Sequence, residues 1–160
     1  MTSRPAERGF SLIELLVTLA IIGLLATIAA PVAQVASQRA QEAELRRALR
    51  EIRAGIDRYH QASEDGRIQK EAGSTDYPKD LNLLVDGVID RRDPKGSKIY
   101  FLRRIPRDPF NPDAGLTDAE TWGRRSYASE PDDPQEGDDI YDIYTTTTRV
   151  GLNGIPLRKW

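Results

Sequence analysis

The chain has 160 residues, room for about one domain, with 23 basic and 25 acidic side chains for a net charge of −2. That balance excludes a bulk electrostatic pull toward nucleic acid. The absence of cysteine excludes disulfides and thiolate chemistry. The charges are unevenly laid out. From Phe10 to Ala30 there are 21 residues with a single charge, Glu14, and nearly all other charges lie beyond residue 38. As a helix this stretch spans about 31 Å, enough to cross a hydrocarbon core.

In chain order, the first nine residues, MTSRPAERG, are short and polar and carry Arg4 and Arg8. The run FSLIELLVTLAIIGLLATIAAP follows. A secretory signal peptide shares the basic start and apolar centre. Against it, the run is longer than a signal core, no Ala-x-Ala site follows, and Pro31 sits just after the one Ala-Ala cut point.

Gly9-Phe10-Ser11-Leu12-Ile13-Glu14 and the unbroken apolar run resemble the N-terminus of type IV prepilins and type II secretion pseudopilins. The resemblance covers residues 8 to 31. It implies that a prepilin peptidase cuts between Gly9 and Phe10 and that Phe10 becomes the methylated N-terminus. The chemistry of Glu14 points the same way. A carboxylate inside a membrane span costs a few kcal/mol unless it finds a partner. After the cut, the Phe10 amine is a cation one turn away on the same helix face, and in a filament the amine of one copy can meet Glu14 of its neighbour. Counting basic residues near the span ends favours a cytoplasmic C-terminal part, because Arg39, Arg46, Arg47 and Arg50 outnumber Arg4 and Arg8. The resemblance implies the opposite orientation, since processing needs the leader in the cytoplasm.

Pro31 lies inside the helical pattern and pushes on the carbonyl of Thr27, so a kink or a locally melted turn is expected there. Beyond it, Leu45, Leu49, Ile52, Ile56 and Tyr59 recur at helical spacing and form one apolar stripe for packing on a globular domain. The stripe fails between Ser37 and Glu44, which reads as a bare neck. The interleaved Glu42, Glu44, Glu51 and Asp57 make Arg46, Arg47, Arg50, Arg53 and Arg58 read as a solvated face rather than a nucleic-acid surface. One helix from Phe10 to Gln61 is about 78 Å long.

Ser63 to Asp76 reads as a polar loop. Pro78 opens and Gly87 closes a short helix. Ile99 to Leu102 is a short helix or strand, and IPRDPFNPDAG with its three prolines is irregular. Strands are expected over Trp122–Ser129 and Ile140–Thr148, and a last short one over Ile155–Trp160. The fold class is therefore α+β: a long N-terminal helix, transmembrane in its first half, packed by its second half on a small antiparallel sheet. Its parts are a leader (1–9), a membrane and filament-core helix (10–30), the helix continuation (31–62) and a small globular domain (63–160).

Tyr77-Pro78, the Leu81-Leu84 segment, Ile105-Pro106-Arg107-Asp108-Pro109-Phe110 and Asp142-Ile143-Tyr144 resemble the major pseudopilin of type II secretion systems, with Phe110 where that family has tryptophan. The resemblance implies a structural subunit, not an enzyme. It also implies a place in the bacterial inner membrane, with the N-terminus cytoplasmic and the domain periplasmic. The implied partners are membrane lipid before assembly, the prepilin peptidase, copies of itself, minor pseudopilins and the inner-membrane assembly platform; no nucleic acid is expected. Two other readings are a type IV pilus subunit for adhesion, motility or DNA uptake, and a membrane-anchored periplasmic binding module that never polymerises. Type IV pilins often carry a C-terminal disulfide pair, which this chain lacks.

The segment Glu130–Asp139 holds six carboxylates without EF-hand spacing and reads as a solvated loop that meets basic residues of a neighbouring copy. His60 is the lone histidine, and no catalytic constellation or cofactor is expected. Major pseudopilins hold calcium in an acidic loop after the second strand, but here Thr145 to Trp160 contains no Asp or Glu. No metal site is therefore expected, and Ile155, Leu157 and Trp160 are expected to hold the end of the chain by packing.

Overall fold

The computed structural model describes residues 10–70 and 73–160, the side chains of 28–30 excepted. It is α+β: a long helix, α1 (Leu12–Glu64), then a short α2 (Leu83–Asp86) and, among the described residues, four short strands. The strands are β1 (Val88–Ile89), β2 (Lys98–Ile99), β3 (Trp122–Arg125) and β4 (Asp142–Thr145). The chain divides into two compact units, Met1–Arg39 and Ala40–Trp160.

α1 is helical straight through Pro31, so the expected melted turn is not there. The ring costs one backbone bond, and strong formers such as Leu and Ala on both sides carry the helix across it. The helix ends in a Schellman motif. Gly66, at φ +70°, donates its N–H to Ser63 O at 2.9 Å, and Arg67 N–H reaches Ala62 O at 2.9 Å.

Within Ala40–Trp160, Leu45, Leu49, Ile52 and Ile56 are buried, and Tyr59 packs against the same core. Leu81, Leu84, Phe101, Leu102, Ile105, Phe110, Trp122, Ile140, Ile143 and Leu157 extend it. Gly55 serves this packing. A Cβ there would stand 2.9 Å from Leu102 Cγ, so the bare backbone lets Leu102 press onto the helix.

The single expected sheet is two separate antiparallel pairs, β1 with β2 and β3 with β4. Strand β3 stops at Arg125, short of Ser129, because the chain turns there, Ser129 N–H bonding to Ser126 O at 3.1 Å. Strand β4 covers Asp142–Thr145, less than Ile140–Thr148. The expected last strand is instead a 3-10 turn, Leu157–Lys159, preceded by one bridge between Val150 and Pro156. Pro156 has no N–H for a ladder, which stops pairing there. Of the residues expected to hold the end of the chain, Leu157 is buried and Trp160 packs on the core, but Ile155 is exposed.

Buried carboxylates tie the loops to these elements. Asp108 is 1% exposed. It accepts bonds from Thr145 Oγ1 at 2.5 Å and Phe110 N at 2.8 Å, and its own N–H bonds to Thr121 Oγ1 at 3.1 Å. Burial pushes its carboxyl up, against the pull of Thr145 and Phe110. Asp139 is the buried member of the acidic run, so that run is not wholly a solvated loop. Burial pushes its carboxyl up too, but bonds from Ser126 Oγ (2.6 Å), Thr75 Oγ1 and Tyr127 N (2.9 Å) outweigh it and hold it below the ordinary range.

The two groups have opposite linkage. A depressed folded-state pKa stabilises above the ordinary carboxylate range and stops doing so as pH falls through the folded value; that is Asp139. A raised one destabilises at neutral pH and ceases to as pH falls; that is Asp108. Asp139→Asn is expected to lose roughly 1–3 kcal/mol at neutral pH, since an amide cannot accept all three bonds. Urea unfolding across pH should show the deficit shrinking toward acid, as the wild-type carboxyl protonates.

Candidate filament-assembly site

The described part of the first unit begins with backbone bonds that start α1: Glu14 N to Ser11 O at 3.1 Å and Leu15 N to Ser11 O at 3.2 Å. Every large apolar side chain from Phe10 to Leu25 is at least half exposed. α1 contains a stretch long and apolar enough to cross a membrane. Its hydroxyls are satisfied within the helix, Thr18 Oγ1 donating to Leu15 O at 2.9 Å and Thr27 Oγ1 to Leu24 O at 2.7 Å, as an apolar surrounding demands. At about 25 cal/mol per Å² of apolar surface, leaving such a stretch in water is costly, so lipid or other helices must cover it.

Phe10 and Glu14 are both exposed, Phe10 at 78%, with Glu14 in the first turn of α1. Gly9 and the cut expected after it lie outside the described residues. Pro31 is exposed within α1. In the second unit Leu45, Leu49, Ile52 and Ile56 serve the core, with Tyr59 edge-on to Phe101 at 5.4 Å.

The arginines of α1 are not all a solvated face. Arg53 Nε donates to Asp142 Oδ1 at 2.7 Å, and its Nη2 reaches Asp142 Oδ2 at 3.3 Å, Ile143 O at 3.2 Å and the main-chain O of Trp160 at 2.9 Å. One guanidinium thus fixes the helix to β4 and to the chain end, using the planar fork that lysine lacks. Arg58 Nη2 donates to Phe101 O at 2.6 Å, and Arg46 lies 4.1 Å over the Trp160 ring. Glu42 is 7% exposed and accepts Leu152 N–H at 2.8 Å, so the expected bare neck ends earlier than Glu44. A sequence signal existed for Glu42: it lies three residues before Leu45, in register with the apolar stripe. Arg53 carried no such signal, since its partner lies 89 residues away. Among the described residues, no group of three or more His, Cys, Asp or Glu side chains is placed to hold a metal.

Residues 4–30 match the family model described as the prokaryotic N-terminal methylation motif. No curated protein and no solved structure matches the chain. The motif indicates a type IV pilin-like structural subunit: prepilin-peptidase processing and self-assembly into filaments go with it. Together with the exposed apolar helix it indicates membrane anchoring.

Arg53→Ala is expected to destabilise the second unit by about 2 kcal/mol, because Asp142 and two carbonyls lose a charged donor together. Arg53→Lys should recover only part, and Arg50→Ala, on an exposed side chain, should stay within about 0.5 kcal/mol of wild type. Denaturant midpoints of the three variants check this.

Proposed function

We propose that the chain is the major pseudopilin of a type II protein secretion system, held in the inner membrane with its second unit in the periplasm. Residues 1–9 act as the cytoplasmic leader, the peptidase cuts between Gly9 and Phe10, and Phe10 is methylated. The 10–30 segment leaves lipid and enters the filament core, where the Phe10 amine of one copy meets Glu14 of the next. That pairing neutralises a charge which is expensive in an apolar environment and sets an axial register that apolar contacts alone leave free. Pro31 softens α1 where it leaves the filament core, and the Leu45–Tyr59 stripe carries the periplasmic domain. The chain works with minor pseudopilins and the inner-membrane platform, and the growing filament acts as a piston or plug for exported proteins.

What supports the secretion reading is the likeness of the 77–84, 105–110 and 142–144 stretches to the major pseudopilin, together with the lack of cysteine for a C-terminal disulfide. Ile140 N–H bonds to Pro78 O at 2.8 Å, Trp122 Nε1 to Pro106 O at 2.7 Å, and Thr145 Oγ1 to Asp108 Oδ2 at 2.5 Å. Phe110 sits in the same core. Leu81, Leu84, Ile105 and Ile143 belong to it too, so the 77–84, 105–110 and 142–144 stretches share one core.

Glu14→Ala tests the reading in one strain. The variant should insert and be cleaved normally, since it removes a charge from an apolar span. The critical concentration for assembly should rise at least about tenfold, equal to about 1.4 kcal/mol per added copy, so that sheared filament yield falls sharply and exported proteins accumulate in the periplasm. Normal filament yield at matched expression refutes the role of Glu14. Lost filaments with normal export and lost surface motility refute the secretion assignment.

A further inference from the structure

Few large apolar side chains of the second unit are exposed, and three of them share one turn: Val150 (52%), Leu152 (45%) and Ile155 (47%). The turn is a built shape. Gly151 N–H bonds to Ile155 O at 2.9 Å, Gly154 N–H to Gly151 O at 2.9 Å, Ile155 N–H to Asn153 Oδ1 at 3.1 Å and Leu157 N–H to Arg149 O at 3.0 Å. Glu42 holds it from the helix through Leu152 N–H, and the buried Leu157 anchors its far side. Three apolar side chains kept outward by a rigid turn mark a contact surface rather than a frayed end.

We propose that this turn docks on a second copy of the chain, against the neutral stretch of α1 that bears Val32 and Val35. Those valines are 64% and 39% exposed, and Pro31 to Gln38 carries no charge. The turn side carries no acid from Thr145 onward, and its bases are engaged within their own unit, Arg149 over the Phe110 ring, Arg158 over the Tyr144 ring and Lys159 with Asp132. The other large aliphatic side chain exposed among the described residues of the second unit, Ile89, stands by itself, whereas the turn groups three. Turn and valine stretch are different surfaces of one chain. In the proposed filament their contact is heterologous: it leaves a free turn at one end and a free valine stretch at the other, and repeats along the axis. The inference rests on the filament reading above and names a contact outside the Phe10–Glu14 pairing.

The absence of cysteine gives a clean background. Full-length Leu152→Cys and Val35→Cys chains, differently tagged, are co-expressed, and the assembled filaments are oxidised. A disulfide-linked product carrying both tags is expected, at least about tenfold above the control pair Lys95→Cys with Val35→Cys. Ile155→Cys serves as a second probe on the same turn. Filaments that form without the two-tag product, or that give it equally with the Lys95→Cys control, overturn the contact while leaving the filament reading intact. Absence of filaments from the unmodified chain overturns both. Shielding of the Leu152→Cys thiol from aqueous maleimide in unassembled membranes means that lipid covers the turn, and also overturns the proposal.

Discussion

One segment constrains everything else: the 10–30 stretch of the chain is apolar, carries a single carboxylate, Glu14, and its large side chains find little cover among the described residues. From Phe10 to Leu25 the large side chains are at least half exposed. Water is a poor solvent for that surface, and lipid is a poor solvent for Glu14. A bundle of identical helices would cover the apolar surface, and the Phe10 amine proposed above would supply a cation for each carboxylate. The methylation motif over residues 4–30 indicates a type IV pilin-like filament subunit.

The second unit has a different problem. It is small, lacks disulfides, and its strands are two to four residues long. Such pairs are marginal alone and need a helix to pack on. α1 supplies this through Leu45, Leu49, Ile52 and Ile56, and then adds polar fastenings from Glu42, Arg53 and Arg58. The helix that anchors the chain is thus also the platform of its domain. A change in the stripe is expected to damage the fold, because Leu45, Leu49, Ile52 and Ile56 are core residues.

What is legible in the sequence is periodic or local. The apolar run, the stripe, the end of α2 at Gly87 and the irregular triple-proline segment each follow from composition or spacing within a few residues. The roles of Asp108, Asp139 and Arg53 are not legible, because a buried carboxylate or guanidinium is written in the sequence like a solvated one. Their partners are distant: Thr145 for Asp108, Thr75 for Asp139, Asp142 for Arg53. The β1–β2 pair leaves little signal, β2 meeting the expected Ile99–Leu102 element only at Ile99, because two-residue strands are too short for any alternation to register. The last segment reads as a strand because Ile155, Leu157 and Trp160 are apolar and closely spaced, while Pro156 among them interrupts the ladder.

In the proposed function the chain matures by losing its leader and then acts through a new amine at Phe10. Intact-mass and N-terminal analysis of protein purified from membranes addresses it directly. The expected mature chain lacks nine residues and begins at an N-methylated Phe10. A mature chain that still begins at Met1 or Thr2 would contradict the proposal, and would remove the cation on which the Glu14 pairing depends.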